Sequence, residues 1–250
     1  FLEKEGLSAY TRSSYLVAVR RFFEWAESEK IYPNIARGIK GAKKPKGFRK
    51  EALTKEQVGE LLNSIDRETG QGRRDFALLM LLIWTGLRTV EVARADFGDI
   101  RQKEGATVLW VQGKGCDSKD RFVLLEPNLL EIIYEYLDTR EDITPKSPLF
   151  ASLSKRNREG RLTTRSISRI VKEALRGIGL DKSELTAHSL RHTAITAALN
   201  GGATVQEAKE LARHADINTT LIYSHNIDRI ENAAEKNISK YFAKEFSSCH

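Results

Sequence analysis

Between Thr186 and His225 stands a set of polar side chains with the types and spacing to act on a phosphodiester. His188 and Arg191 are three apart, so on a helix they share a face. His192 follows directly. His214 comes after a Gly201-Gly202 break and a further helical run, and Tyr223 stands nine positions beyond it, behind Thr219 and Thr220. Brought to one point, these groups complement each other. The phenol is a nucleophile, the imidazoles donate or accept hydrogen bonds, and the guanidinium forks onto phosphate oxygens.

Other chemistries fit less well. His188-Ser189-Leu190-Arg191-His192 has the H-x-x-x-H spacing of zinc proteases, but Ser189 stands where their general-base Glu belongs. Gly113-Lys114-Gly115 lacks the G-x-x-x-x-G-K-[ST] pattern of a phosphate-binding loop. Two cysteines, Cys116 and Cys249, form neither a zinc cluster nor a disulfide framework. We therefore expect no metal and no nucleotide cofactor, and the lack of a disulfide framework points to a cytoplasmic protein.

The elements that must position these groups are mostly helices. Periodic apolar residues predict a helix over 8–29 capped by Ser8, with Tyr15, Val19, Phe22, Phe23 and Ala26 as its core face. A short helix is expected after Pro33-Asn34, ending near Ile39. Thr54-Lys55-Glu56-Gln57 is a capping box that opens the next helix. Arg73–Thr85 reads as a buried central helix ended by Gly86. Arg88 and Glu91 then sit three apart at the start of another, a spacing that suits a structural ion pair. Thr107–Val111 and Arg121–Leu125 read as a β-hairpin closed by a long turn. Further helices are expected over 127–137, with Leu130, Ile133, Tyr134 and Leu137 inward, and over 161–177, 188–199, 205–212, 218–224 and 228–242. A short strand is expected at Leu149-Phe150. The fold class is mainly α with a small antiparallel β-sheet.

Charge divides the chain unevenly. Residues 1–51 hold twelve Lys/Arg against six Asp/Glu, whereas the remainder is nearly balanced. The excess points to nucleic acid, or to a solvated basic face. Residues 38–50 carry six cations among three glycines and a proline, which reads as a basic linker. Lys43, Lys44, Lys46, Arg49 and Lys50 are its candidates for the phosphate backbone. Arg161, Arg165 and Arg169 are further candidates. The expected domains are 1–37 (helical, DNA-binding), 38–51 (linker), 52–226 (catalytic) and 227–250 (terminal helix and tail). No apolar run approaches a membrane span.

Taken in order, Arg88 in T-G-L-R-x-x-E, Lys114 between two strands, His188-x-x-Arg191-His192, His214 and Tyr223 resemble the phage-integrase, or tyrosine site-specific recombinase, family, from about residue 52 onward. The resemblance implies that Tyr223 attacks a DNA phosphate to give a 3′-phosphotyrosyl bond and a 5′-hydroxyl. It implies that Arg88 and Arg191 clamp the phosphate, that His214 hydrogen-bonds it, that His188 is an acid/base group, and that Lys114 protonates the leaving oxygen. Lys119 is the alternative proton donor. Glu91 and His192 are supporting residues, and Thr219 and Thr220 brace the tyrosine's helix. Arg213 stands where many members have glycine. The implied partners are double-stranded DNA, gripped by a C-shaped clamp, three further copies of the chain in a tetramer, and an accessory directionality factor. Exchange would pass through a Holliday junction, in an integrase of a mobile element or a chromosome-dimer resolvase. The terminal helix docks on a neighbouring protomer or packs on its own domain. A type IB topoisomerase and a non-catalytic DNA-binding protein are the rival readings.

Overall fold

The computed structural model describes residues 5–42, 51–113 and 115–224. The expected terminal helix, His225, Lys114 and the cations Lys43, Lys44, Lys46, Arg49 and Lys50 lie outside the described residues. The chain divides into two units, Phe1–Phe48 and Arg49–His250.

In the first unit, α1 (Ala9–Ser28) starts where the Ser8 hydroxyl accepts from the Thr11 amide at 3.1 Å. The chain then folds back on the helix end: the amides of Ile31 and Tyr32 reach the Ala26 carbonyl, and Arg37 pairs with Glu27 at 2.5 Å. The segment after Pro33 is a series of turns, not the expected helix. The expected core face of α1 is also corrected. Only Ala26 is buried on it, while Tyr15, Val19 and Phe22 are exposed. Their period is helical, but within this unit's described residues α1 is the sole helix, so its apolar stripe meets no second one.

The second unit is built around α3 (Gly70–Thr85). Every residue from Phe76 to Ile83 is buried, so the helix is apolar all round and needs partners on every side. It packs chiefly against α5 (Pro127–Leu137) and α7 (Ala187–Asn200), with α2 (Lys55–Asn63) beside it. The Thr54 capping box of α2 forms as expected. The buried face of α5 is Leu129, Ile133, Tyr136 and Leu137. The expected Tyr134 instead faces solvent, and Tyr136 takes the inward place, stacked on Phe150 with its hydroxyl accepting the Ala151 amide at 2.9 Å. The core supplies a partner for that hydroxyl, which the period could not reveal.

Three antiparallel strands flank this core: β1 (Ile100–Lys103), β2 (Ala106–Val111) and β3 (Arg121–Leu124), in that order. The hairpin of β2 and β3 matches the expectation. The strand β1 is additional, because only its first residue is strongly apolar. Leu149-Phe150 forms no strand; its neighbours make single bridges, Asp96 to Pro148 and Ala151 to Arg161. Among the described residues the unit has three further helices, α6 (Thr164–Gly177), α8 (Val205–Ala212) and α9 (Asn218–Ser224), while the short α4 (Thr89–Arg94) follows α3. Among the described residues no helix is long and apolar enough to cross a membrane.

Candidate active site

The α3–α4 turn begins the site. Gly86 ends α3 at φ 58°, a left-handed conformation, with Ala194 Cβ 3.3 Å from where a side chain would begin. Two residues on, the Arg88 amide donates to Glu91 Oε2 at 2.7 Å, and its guanidinium Nη1 donates to Oε1 at 2.9 Å. One carboxylate thus caps α4 and aims the side chain of the capping residue. Glu91 is 1% exposed. Burial alone would raise its pKa, but the Arg213 guanidinium and the Arg88 amide hold it below the usual carboxylate value.

The helix α7 brings Arg191 against that turn. Its guanidinium, 2% exposed, donates to the carbonyls of Gly86 and Ala212. Burial, then repulsion from Arg88 and Arg213, lowers its pKa to about 10, so it stays cationic at neutral pH. On the same helix His188 is exposed and His192 is buried, their rings 4.8 Å apart and nearly perpendicular.

The last two described helices bring the phenol. The chain leaves α8 through Arg213 at φ 53°, and the His214 amide closes the turn on the Lys209 carbonyl at 3.1 Å. His214 Nδ1 lies 2.9 Å from the Thr220 hydroxyl. Burial, then the charges of Arg191, Arg88 and Arg213, depress the imidazole pKa to about 4, so the ring is neutral near pH 7. Tyr223 is 3% exposed, its ring set among Ile195, Leu199, Ala208 and Ala212. His214 stacks on it at 6.2 Å and His192 tilts against it at 5.0 Å. Burial pushes the phenol pKa up, and Arg191 and Arg88 pull it down.

The sequence-predicted residues thus fall into two groups. Arg88, Glu91, Arg191, His192, His214 and Tyr223 converge, with His188 at the exposed end of a row of rings running through His192 to Tyr223. The hairpin is tied to the end of α4, since Arg94 donates to the carbonyl of Gly113, the residue before Lys114, at 3.1 Å. Lys119 instead holds its ammonium against Asp96 at 2.7 Å and against Asp99. Arg161, expected to grip DNA, gives its guanidinium to Asp96 and to the carbonyls of Ala93 and Ala95, and so fastens the end of α4. Arg165 and Arg169 are exposed on α6, with Glu173 3.8 Å from Arg169.

Three residues gain parts that the sequence reading did not give them. Thr220 bonds His214 rather than merely bracing a helix, while Thr219 is exposed. Arg121 donates to the Arg213 carbonyl at 3.4 Å. Arg213 itself is buried against Glu91 and Gly86. Thr220 and Arg213 each leave a signal in the sequence, the first beside the tyrosine and the second as a cation where the resembled family often has glycine, whereas Arg121 leaves none.

Comparison with known proteins agrees with this architecture. Residues 51–229 match the Phage integrase family. Tyrosine recombinase XerC of Corynebacterium glutamicum is 32% identical over 234 residues, covering 88% of this chain and 69% of that protein. Tyrosine recombinase XerD of Listeria innocua is 30% identical over 227 residues, covering 90% and 74%. Among solved structures, XerH site-specific recombinase bound to palindromic difH substrate superposes with a TM-score of 0.74 at 26% identity, covering 92% of this chain and 68% of that one. A lambda integrase dimer bound to a COC′ core site shares the fold at a TM-score of 0.67 and 17% identity, covering 87% and 76%. With its helical fold, its three-stranded sheet and a tyrosine among arginines and histidines, the chain belongs to the phage integrase family of tyrosine recombinases.

Proposed function

We propose that the protein breaks and rejoins DNA at specific sites, with Tyr223 as the nucleophile. The observation that carries this reading is the setting of Tyr223: a buried phenol flanked by two imidazoles and lying in the field of Arg191 and Arg88. That field favours an oxyanion at the phenol and attracts a phosphate to it.

The step balances as a transesterification. The Tyr223 oxygen bonds to phosphorus, the bond from phosphorus to the 5′-oxygen breaks, and a 3′-phosphotyrosyl linkage and a 5′-hydroxyl result. The raised phenol pKa means that a proton must leave during attack. The histidine row beside the ring, His192 and then His188, offers it a path to the exposed rim. Arg88 and Arg191 hold the non-bridging oxygens and stabilise the extra charge of the transition state. With Nδ1 engaged by Thr220, His214 presents Nε2 to the phosphate as a neutral donor when the threonine hydroxyl donates to Nδ1. Lys114 protonates the departing 5′-oxygen. Two observations favour it over Lys119: its neighbour Gly113 is fastened to α4, and Lys119 is committed to Asp96 and Asp99. Fixed cations neutralise the phosphate in this scheme, so no metal takes part.

Because the phosphotyrosyl bond conserves the energy of the cleaved linkage, a second 5′-hydroxyl can reverse the step on another strand. Two successive exchanges through a Holliday junction, in a DNA-bound tetramer, complete recombination between duplexes. The XerH structure captured with its substrate in a post-cleavage state lends support by analogy. In this reading residues 1–37 are the helical core-binding domain that grips DNA, 38–51 the basic linker, 52–226 the catalytic domain and 227–250 the docking segment. An accessory factor sets direction.

The test is covalent capture on the DNA of the source cell, with a chelator present. Protein–DNA adducts are isolated under denaturing conditions, and the attached ends are sequenced. We expect adducts at one recurrent sequence, and none with Tyr223→Phe. Adducts that persist in the variant, or that require a divalent ion, overturn the assignment. Adducts scattered without sequence preference point to a topoisomerase.

A further inference from the structure

We propose that Arg213 is a positioning residue that locks the phosphate-binding guanidinium of Arg88 to the turn carrying His214, so that cation and imidazole move as one body. The proposal rests on the phosphate-binding reading above and concerns a residue outside the reacting set.

The first observation is conformational. Arg213 holds φ 53° and ψ 44° at the end of α8, a left-handed conformation that glycine adopts without strain and that disfavours a side chain. An arginine kept there needs a return from its side chain. Burial gives the second observation. Arg213 is 8% exposed, an unusual place for a guanidinium unless it is paired.

The third observation is what the side chain reaches. Nη2 donates to Glu91 Oε2 at 3.0 Å and to the Gly86 carbonyl at 3.2 Å, and Nη1 donates to the Leu211 carbonyl at 2.7 Å. Both acceptors across the fold are shared with the site. Glu91 receives the amide and guanidinium of Arg88 as well, and Gly86 receives Arg191 as well. Glu91 is therefore a junction with Arg88 on one side and Arg213 on the other. The backbone adds one more tie, from Arg121 of β3 to the Arg213 carbonyl at 3.4 Å. Through one residue, the α3–α4 turn, the α8–α9 turn and the hairpin strand are joined.

The consequences are geometric and electrostatic. Without this cation, Glu91 answers to Arg88 alone, and the single guanidinium–carboxylate bond leaves the Arg88 side chain free to rotate away from the phosphate site. A displacement of about 1 Å in such a group can cost on the order of a hundredfold in rate. The Arg213 charge also opposes protonation of the adjacent His214 ring.

The test uses the full chain on a nicked suicide substrate carrying the recurrent site, at saturating DNA. Arg213→Gly relieves the backbone and removes the guanidinium; Arg213→Lys keeps the charge and loses the fork. For the glycine variant we expect adduct formation slower by about tenfold to a hundredfold, with DNA affinity within about threefold of the parent. The lysine variant should recover part of the rate. Combining Arg213→Gly with Glu91→Gln should slow the reaction little beyond the slower single variant, since both act through one junction. In an NMR titration, the His214 midpoint should rise in the glycine variant and stay low in the lysine variant. Should the glycine variant not fold, the lysine variant decides through its rate and its titration. A parent that cleaves alongside an Arg213→Gly variant of equal rate overturns this inference and leaves the function standing. A parent that forms no adduct overturns both.

Discussion

His214 is neutral at physiological pH because burial, and then the charges of three guanidiniums, oppose a further positive charge. This has a thermodynamic signature. The imidazole titrates near 6.5 when free and at about 4 in the fold. Between those values the unfolded chain binds a proton that the native chain refuses, so stability is whole above pH 6.5 and declines as pH falls toward 4. Denaturant midpoints measured across this window should fall more steeply for the parent than for His214→Gln, and the two should run parallel above it. Parallel curves throughout would mean that the ring is not perturbed. At the same scale, Glu91 has the opposite task. It must stay ionised while almost fully buried, and two arginines and an amide make that affordable. The site sets the guanidiniums of Arg88 and Arg213 about one carboxylate, which holds like charges close together.

Secondary elements carry these residues only because their ends are pinned. The start of α3 shows how tightly. Gly72 lies in its first turn, and a Cβ there would stand 1.6 Å from the Asp66 carbonyl oxygen. Helix propensity alone favours alanine over glycine by about 1 kcal/mol. The contact is with backbone, which cannot swing aside, and overpacking of this kind costs about 1–3 kcal/mol. Sterics should win: Gly72→Ala is expected to lower stability by about 2 kcal/mol, read by chemical denaturation. A stabilised variant would show that the 66–69 loop yields. The same pinning explains the two ends of the site. The turn at Gly86 offers its carbonyl to two arginines, and the turn at Arg213 offers its side chain to the first turn. These helix ends, where backbone groups lack helical partners, are where the fold is stitched to itself.

At the scale of the molecule, the proposed grip on DNA turns on where the charge lies. The net excess of Lys/Arg lies in residues 1–51, and five of those cations lie between Lys43 and Lys50. If they neutralise phosphates, binding weakens with salt by about 0.9 in logarithmic slope per contact. Replacing Lys43, Lys44, Lys46, Arg49 and Lys50 by alanine should therefore flatten the slope by about 4.5, on specific and non-specific duplexes alike. An unchanged slope would assign these residues to a solvated tether.

Much of this protein is legible in its sequence. Local rules suffice where a residue's part depends on near neighbours. The capping box at Thr54, the glycine stop at Gly86, the pairing of Arg88 with Glu91 three residues on, and the helix limits at Pro127, Val205 and Asn218 all follow from short-range hydrogen bonding and period. Composition separated the basic N-terminal fifth. What tertiary structure alone decided depends on partners distant in the chain. Periodicity gave α1 an apolar stripe but could not say what covers it, and it chose the wrong aromatic on α5 because Tyr136 is drawn inward by the Ala151 amide fifteen residues away. Lys119 and Arg161 look like free cations in the sequence, and both are claimed by Asp96. Arg213 reads as an odd residue at a glycine position, and only the fold brings Glu91, 122 residues earlier, to its guanidinium. A side chain's type is written locally, but its task is set by the charge and the carbonyl that folding places opposite it.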